Sequence, residues 1–143
     1  MLRQFLIGGA ISICNIMIHA LVMTAVVRAS QATAAKVASR QNLLLIAVMA
    51  ATVSVLMVAH ACEVIVWSLA YGFVDAAPAN TDLLYFAFVN YTTLGYGDVV
   101  PVERWRLLGP MTAMNGVLLF GWSTAVIFEV LRKAMERKDR SLP

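Results

Sequence analysis

The chain has 143 residues, is 61% hydrophobic and only 13% charged, and carries a formal net charge of +3. Soluble domains run nearer half apolar and a quarter charged, so this composition, with a mean hydropathy of +0.78, is that of a membrane protein. Three spans of about 20 apolar residues each nearly fill the length, which excludes a separate soluble catalytic or regulatory domain within it.

The first apolar run extends from Phe5 to Val27. It is too long for the h-region of a signal peptide, and Asn15 and His19 interrupt it, so a retained transmembrane helix is expected. Residues 28–42 form a polar, alanine-rich connector of helix-favouring composition. The second run, Leu43 to Phe73, is longer than a bilayer requires, and tilt or protrusion is expected. The segment from Asp75 to Asn80 breaks the pattern and reads as a loop. The next run, Thr81 to Tyr91, is too short to span. Asn80 or Thr81 is expected to cap it, with Asp82 in its first turn. A short apolar helix followed by glycine-rich backbone is the pattern of a re-entrant segment. Val99 to Arg106 read as a further loop, and Leu107 to Leu131 as the third span.

Three segments follow: an N-terminal helix with its connector (residues 1–42), a pore-like unit (43–131) and a basic tail (132–143). Lysine and arginine placement orients them. With the connector and the C-terminus inside, Arg28, Lys36, Arg40, Arg132, Lys133, Arg137, Lys138 and Arg140 are cytoplasmic, and only Arg3, Arg104 and Arg106 fall outside. These charges read as membrane-flanking anchors that set topology, with contact to anionic lipid headgroups as the alternative, and not as a nucleic-acid surface. Cys14 and Cys62 lack metal-ligand spacing and are expected to be buried free thiols. No nucleophile triad, metal cluster or phosphate loop is legible, and no enzyme is expected.

The chemistry concentrates in Thr93-Leu94-Gly95-Tyr96-Gly97. Glycine tolerates positive φ at little cost, so two glycines flanking one residue permit an extended strand whose successive carbonyls turn to one side. Several such strands around an axis would replace the water shell of a dehydrated cation. Backbone this irregular is tolerated at membrane depth only where it lines a water-filled path or is packed in protein.

With Tyr91, Thr92 and Asp98 the motif resembles the signature of the potassium channel family, whose filter illustrates carbonyl-based selectivity. The resemblance covers Leu43 to about Leu131, and the first helix lies outside it. It implies an all-α membrane protein with three transmembrane helices plus a re-entrant pore helix and selectivity filter, assembled as a homotetramer. It further implies that the carbonyls of Thr93, Leu94, Gly95 and Tyr96 bind potassium ions, with no other cofactor. Gly97 would let the strand turn outward at the mouth. Thr92, Asp98 and the donor Tyr85 would support the filter. Leu94 replaces the commoner Val or Ile, and Val89 stands where some members carry a carboxylate. In the last span, Gly116 is similar to the family's hinge glycine, although close helix packing is an equal reading. Val117, Phe120, Thr124 and Phe128 are expected to line the cavity or its inner mouth, with Phe128 as a hydrophobic gate.

Two polar groups need partners. Glu63 is costly inside a membrane unless paired, and His60 lies three residues earlier on the same helix face. They are expected to brace Asn90, Tyr91 or Asp98 behind the filter, or to sense pH. Asn15 and His19 are expected to hydrogen-bond across helices. The first helix lacks the regular arginines of a voltage sensor. The expected function is a potassium-selective channel subunit, and a prokaryotic plasma membrane suits so small a chain. A weakly selective cation pore and a non-conducting accessory subunit are the alternatives.

Overall fold

The computed structural model describes residues 1–33 and 41–140. Their elements are α1 (Leu2–Thr33), α2 (Gln41–Val74), α3 (Leu83–Tyr91), a single 3-10 turn (Glu103–Trp105) and α4 (Leu108–Arg140). The all-α membrane architecture read from the sequence is the one found. Stretches of α1 (Leu2–Ala29), of α2 (Leu45–Val74) and from the 3-10 turn through α4 (Glu103–Glu136) are long and apolar enough to cross a membrane. Helix α3, with nine residues, is about 14 Å long at 1.5 Å per residue and cannot span. Lys36 and Arg40 of the connector lie outside the described residues.

Local chemistry sets the ends of these elements, and in three places it departs from expectation. The cap of α3 is Asp82, whose carboxylate accepts from the Leu84 and Tyr85 amides at 3.0 and 3.1 Å. Asn80 is spent on the preceding turn, at φ 61°. The boundary drawn at Leu131 falls inside α4. The apolar run stops there, but Arg132 pairs with Glu129 and Glu136, and Lys133 pairs with Glu129. Such i,i+3 and i,i+4 pairs carry a helix past the apolar stretch. Cys14 and Cys62 are free as expected, yet both are exposed on the outer faces of their helices rather than buried.

α1 packs against α2 and α4, and α3 sits against α2 and α4. The interior is layered. One apolar cluster joins Val64, Trp67 and Tyr71 of α2, Phe86, Ala87 and Tyr91 of α3, and Leu108 and Met111 of α4. A second joins Met23 and Val26 of α1, Leu56 of α2, and Val126 and Val130 of α4. Between them α1, α2 and α4 place their polar residues at matching depth: Asn15, His19, Glu63, Asn115 and Ser123 are all buried. Large apolar side chains such as Leu6, Met17, Leu21, Met57, Val58 and Leu69 cover the outside. Polar inside and apolar outside is the arrangement a bilayer demands.

The extra helix is fastened at its start as well. Gln4 accepts from the Leu107 amide at 2.8 Å, satisfying a donor at the beginning of α4 that has no intrahelical partner. The Arg3 guanidinium lies 5.0 Å from the centre of the Trp105 ring, within cation–π range.

Candidate functional site

The loop after α3 begins as a helix terminus. The Thr93 amide donates to the Asn90 carbonyl (3.1 Å) and the Leu94 amide to the Val89 carbonyl (3.0 Å), while Thr93 takes φ 60°. This is the Schellman arrangement, in which a left-handed residue turns the chain away and satisfies the last carbonyls. Glycine is its usual occupant, and a β-branched residue there is an outlier costing about 1–3 kcal/mol. Such strain persists where surrounding contacts over-determine the backbone, commonly at functional sites.

Positive φ then recurs at every second residue, at Gly95 (60°) and Gly97 (77°), but not at Leu94 or Tyr96. In a pleated strand successive carbonyls oppose one another. Alternating the sign of φ rotates every second peptide and aligns like backbone groups along one face. Leu94 and Tyr96 are exposed in the single chain.

Both ends of this loop are held. At its far end the Tyr85 hydroxyl donates to Asp98 at 2.7 Å. That bond is the first cause that raises the Tyr85 phenol above its ordinary pKa, so the phenol keeps its proton as a donor. At the near end the Thr92 hydroxyl donates to the Phe88 carbonyl at 2.7 Å. Here too α4 approaches closely. A Cβ built on Gly116 would lie 2.1 Å from the Tyr91 carbonyl oxygen, a backbone atom that cannot step aside. Of the two readings of Gly116, close packing is the one with a contact behind it, and α4 runs through the position without a break.

Behind the loop lies a buried polar cluster. Glu63 accepts from His19 Nδ1 at 2.7 Å, from His60 Nδ1 at 3.0 Å and from the Tyr91 hydroxyl. The Nε2 atoms of His60 and His19 both face Ser123 Oγ, at 2.9 and 3.3 Å. Asn15 donates to the Glu63 carbonyl (3.2 Å) and to Asn115 Oδ1 (3.1 Å), which also accepts from Trp67 Nε1 (3.0 Å). Of the three partners expected for His60 and Glu63, Tyr91 is the one engaged. Asn90 instead donates to the Phe86 carbonyl, and Asp98 is held by Tyr85.

Sequence reasoning missed that His19 reaches Glu63, and that Ser123, Asn115 and Trp67 join the cluster. The available signal was spacing: Asn15 and His19 share one face, and Asn115 and Ser123 lie about two turns apart. On α4, Val117, Thr124 and Phe128 are exposed in the single chain. The Phe120 ring packs 4.5 Å from that of His60 and 5.4 Å from that of Tyr91.

A family model described as ion channel matches residues 43–133, from early α2 through most of α4. Comparison with curated proteins and with solved structures gives no match.

Proposed function

The chain belongs to the ion channel family, in its two-span potassium-channel pore type with one further helix ahead of the pore, and from that premise we propose that it is a subunit of a potassium-selective channel. Membership makes it an integral membrane protein and a passive ion channel built from several chains. The finer reading is ours. Four identical chains surround one axis, since a single strand cannot enclose an ion and identical subunits close most simply in a ring. Potassium ions bind the carbonyls of Thr93, Leu94, Gly95 and Tyr96 in single file, each knocked on by the next. Val117, Phe120, Thr124 and Phe128 line the cavity below. The C-terminal end of α3 directs its partial negative charge toward that cavity. The 28–42 connector and the C-terminus face the cytoplasm by the loop-charge rule, where the basic residues meet anionic lipid, and a prokaryotic plasma membrane is the setting.

The observation that carries this reading is the alternation of positive φ at Thr93, Gly95 and Gly97, within the motif that resembles the potassium-channel filter. The test is potassium flux through purified protein in liposomes, against a sodium gradient. The wild type is expected to pass potassium and exclude sodium. Gly95→Ala places a Cβ on left-handed backbone, which costs about 1–2 kcal/mol in each subunit, and is expected to abolish the flux. Flux that ignores the exchange of potassium for sodium would make it a weakly selective cation pore. No flux from an intact assembly that pairs with another channel chain would make it an accessory subunit.

A further inference from the structure

The buried cluster holds four donor atoms of the kind that bind transition metals. The ligand atoms of His19, His60 and Glu63 all lie within 4.8 Å of one another. The Tyr91 hydroxyl stands beside them, 2.9 Å from His60 Nδ1 and hydrogen-bonded to Glu63. Two imidazoles and one carboxylate, with a fourth position left for an oxygen, is a donor set that zinc takes in four-coordinate sites. Ligand atoms about 2.0–2.2 Å from a common ion would stand somewhat farther apart than the 2.7 and 3.0 Å now separating the Glu63 oxygens from the two Nδ1 atoms. A small outward movement of the side chains makes the room.

The hydrogen count leaves a place for a cation here. Glu63 is fully buried, and among the described residues its ion-pair partners are the two histidines alone. A carboxylate only accepts hydrogen bonds, so both Nδ1 atoms must carry the hydrogens it receives. Both Nε2 atoms are then acceptors, yet both face the single Ser123 hydroxyl, which donates once. One ring nitrogen is left facing oxygen without a hydrogen unless a further proton is taken up. With a divalent metal ion on both Nδ1 atoms, and Tyr91 bound as phenolate with its proton released to solvent, hydrogens and charge both close. Each Nε2 then carries a hydrogen, and Ser123 Oγ, which has two lone pairs, accepts both. A histidine ligand fixed through its other ring nitrogen is the usual outer support of a metal site.

We propose that His19, His60, Glu63 and Tyr91 form a site for a divalent transition-metal ion of the zinc class, held between α1, α2 and α3. The ion bridges the extra helix to Tyr91, two residues before Thr93. His60 is the ligand that keeps an accessible edge, with 14% of its side chain exposed against 0% for His19 and Glu63. Its ring packs on Phe120, so the ion enters from the side of α4 assigned above to the cavity. The site itself stands whether or not the pore selects potassium.

The test is titration of the untagged, assembled channel with cobalt(II), followed by visible absorption. The expected result is saturable binding of one ion per chain with the intense bands of four-coordinate cobalt. Zinc should displace the ion, and binding should be lost in His19→Gln and in Glu63→Gln. Because those variants strip a buried network and are prone to misfold, the wild type supplies an independent reading: its melting temperature should rise with zinc and fall with a chelator. Three results would overturn the proposal. One is a wild type without saturable binding or metal-dependent melting, which makes a proton the only occupant. Another is binding unchanged in folded variants. The third is a thiolate-to-cobalt band, which would place the metal on Cys14 or Cys62.

Discussion

Gly116 and Gly121 of α4 put glycine to two different uses. The position that Gly116 would give to a Cβ is occupied by the Tyr91 carbonyl, whereas Gly121 has open space around it within the chain. Gly116→Ala is therefore expected to push α4 off the end of α3. Overpacking of this kind costs about 1–3 kcal/mol, and both the melting temperature and the flux should fall. Gly121→Ala gains helix propensity of roughly 0.5–1 kcal/mol and is expected to keep the flux. Equal losses in the two variants, measured by thermal melting and flux, would show that the close approach is not what matters. Tyr85→Phe tests the other end of the loop. It removes the hydrogen bond from α3 to Asp98. The expected outcome is an intact assembly whose current decays faster under sustained conduction, read in planar bilayers against the wild type.

At the scale of elements, α1 is a structural part of the pore rather than an addition to it. It supplies His19 to Glu63, Asn15 to Asn115 and Gln4 to the start of α4. Removing residues 1–33 leaves the segment matched by the family intact but strips a partner from a buried carboxylate. Breaking a buried pair costs about 3–5 kcal/mol. The truncated chain is expected to fail to assemble, as measured by size-exclusion yield, and Glu63→Leu in the truncated chain is expected to recover part of it.

Much of this architecture was legible in the sequence, and the parts that were not have definite physical reasons. Apolar run length found all three spans because the bilayer imposes it. The same signal marks the end of the apolar stretch and not of α4, since hydropathy measures the membrane and not the helix, and the pairs around Arg132 continue the helix beyond it. Asn80, Thr81 and Asp82 offered three capping residues in a row; which one caps was decided by the turn that took Asn80. The loop motif was readable because its geometry is local. The partners of Glu63 were not, because His19 and Tyr91 lie 44 and 28 positions away and meet it only through the packing of whole helices.

For the whole molecule, the single chain leaves two kinds of apolar surface uncovered. α1 and α2 expose broad aliphatic faces suited to lipid. α4 exposes Met114, Val117, Leu118 and Phe128 on the helix that the proposed assembly turns toward its axis. If Phe128 rings converge there, the inner mouth closes by excluding water. Phe128→Ala is then expected to raise open probability severalfold in single-channel recordings without changing the order of ion preference. An unchanged open probability would remove Phe128 from the gate.

The long-range bonds of α1 also order events during synthesis. Asn15 finds Asn115 and His19 finds Ser123 across separations of 100 and 104 positions. The first helix can pair with Glu63 once α2 is made, but its bonds to α4 wait until most of the chain has been synthesised. Nascent chains arrested before α4 would hold α1 through α2 alone. Commitment to the native bundle arrives late, with the last helix.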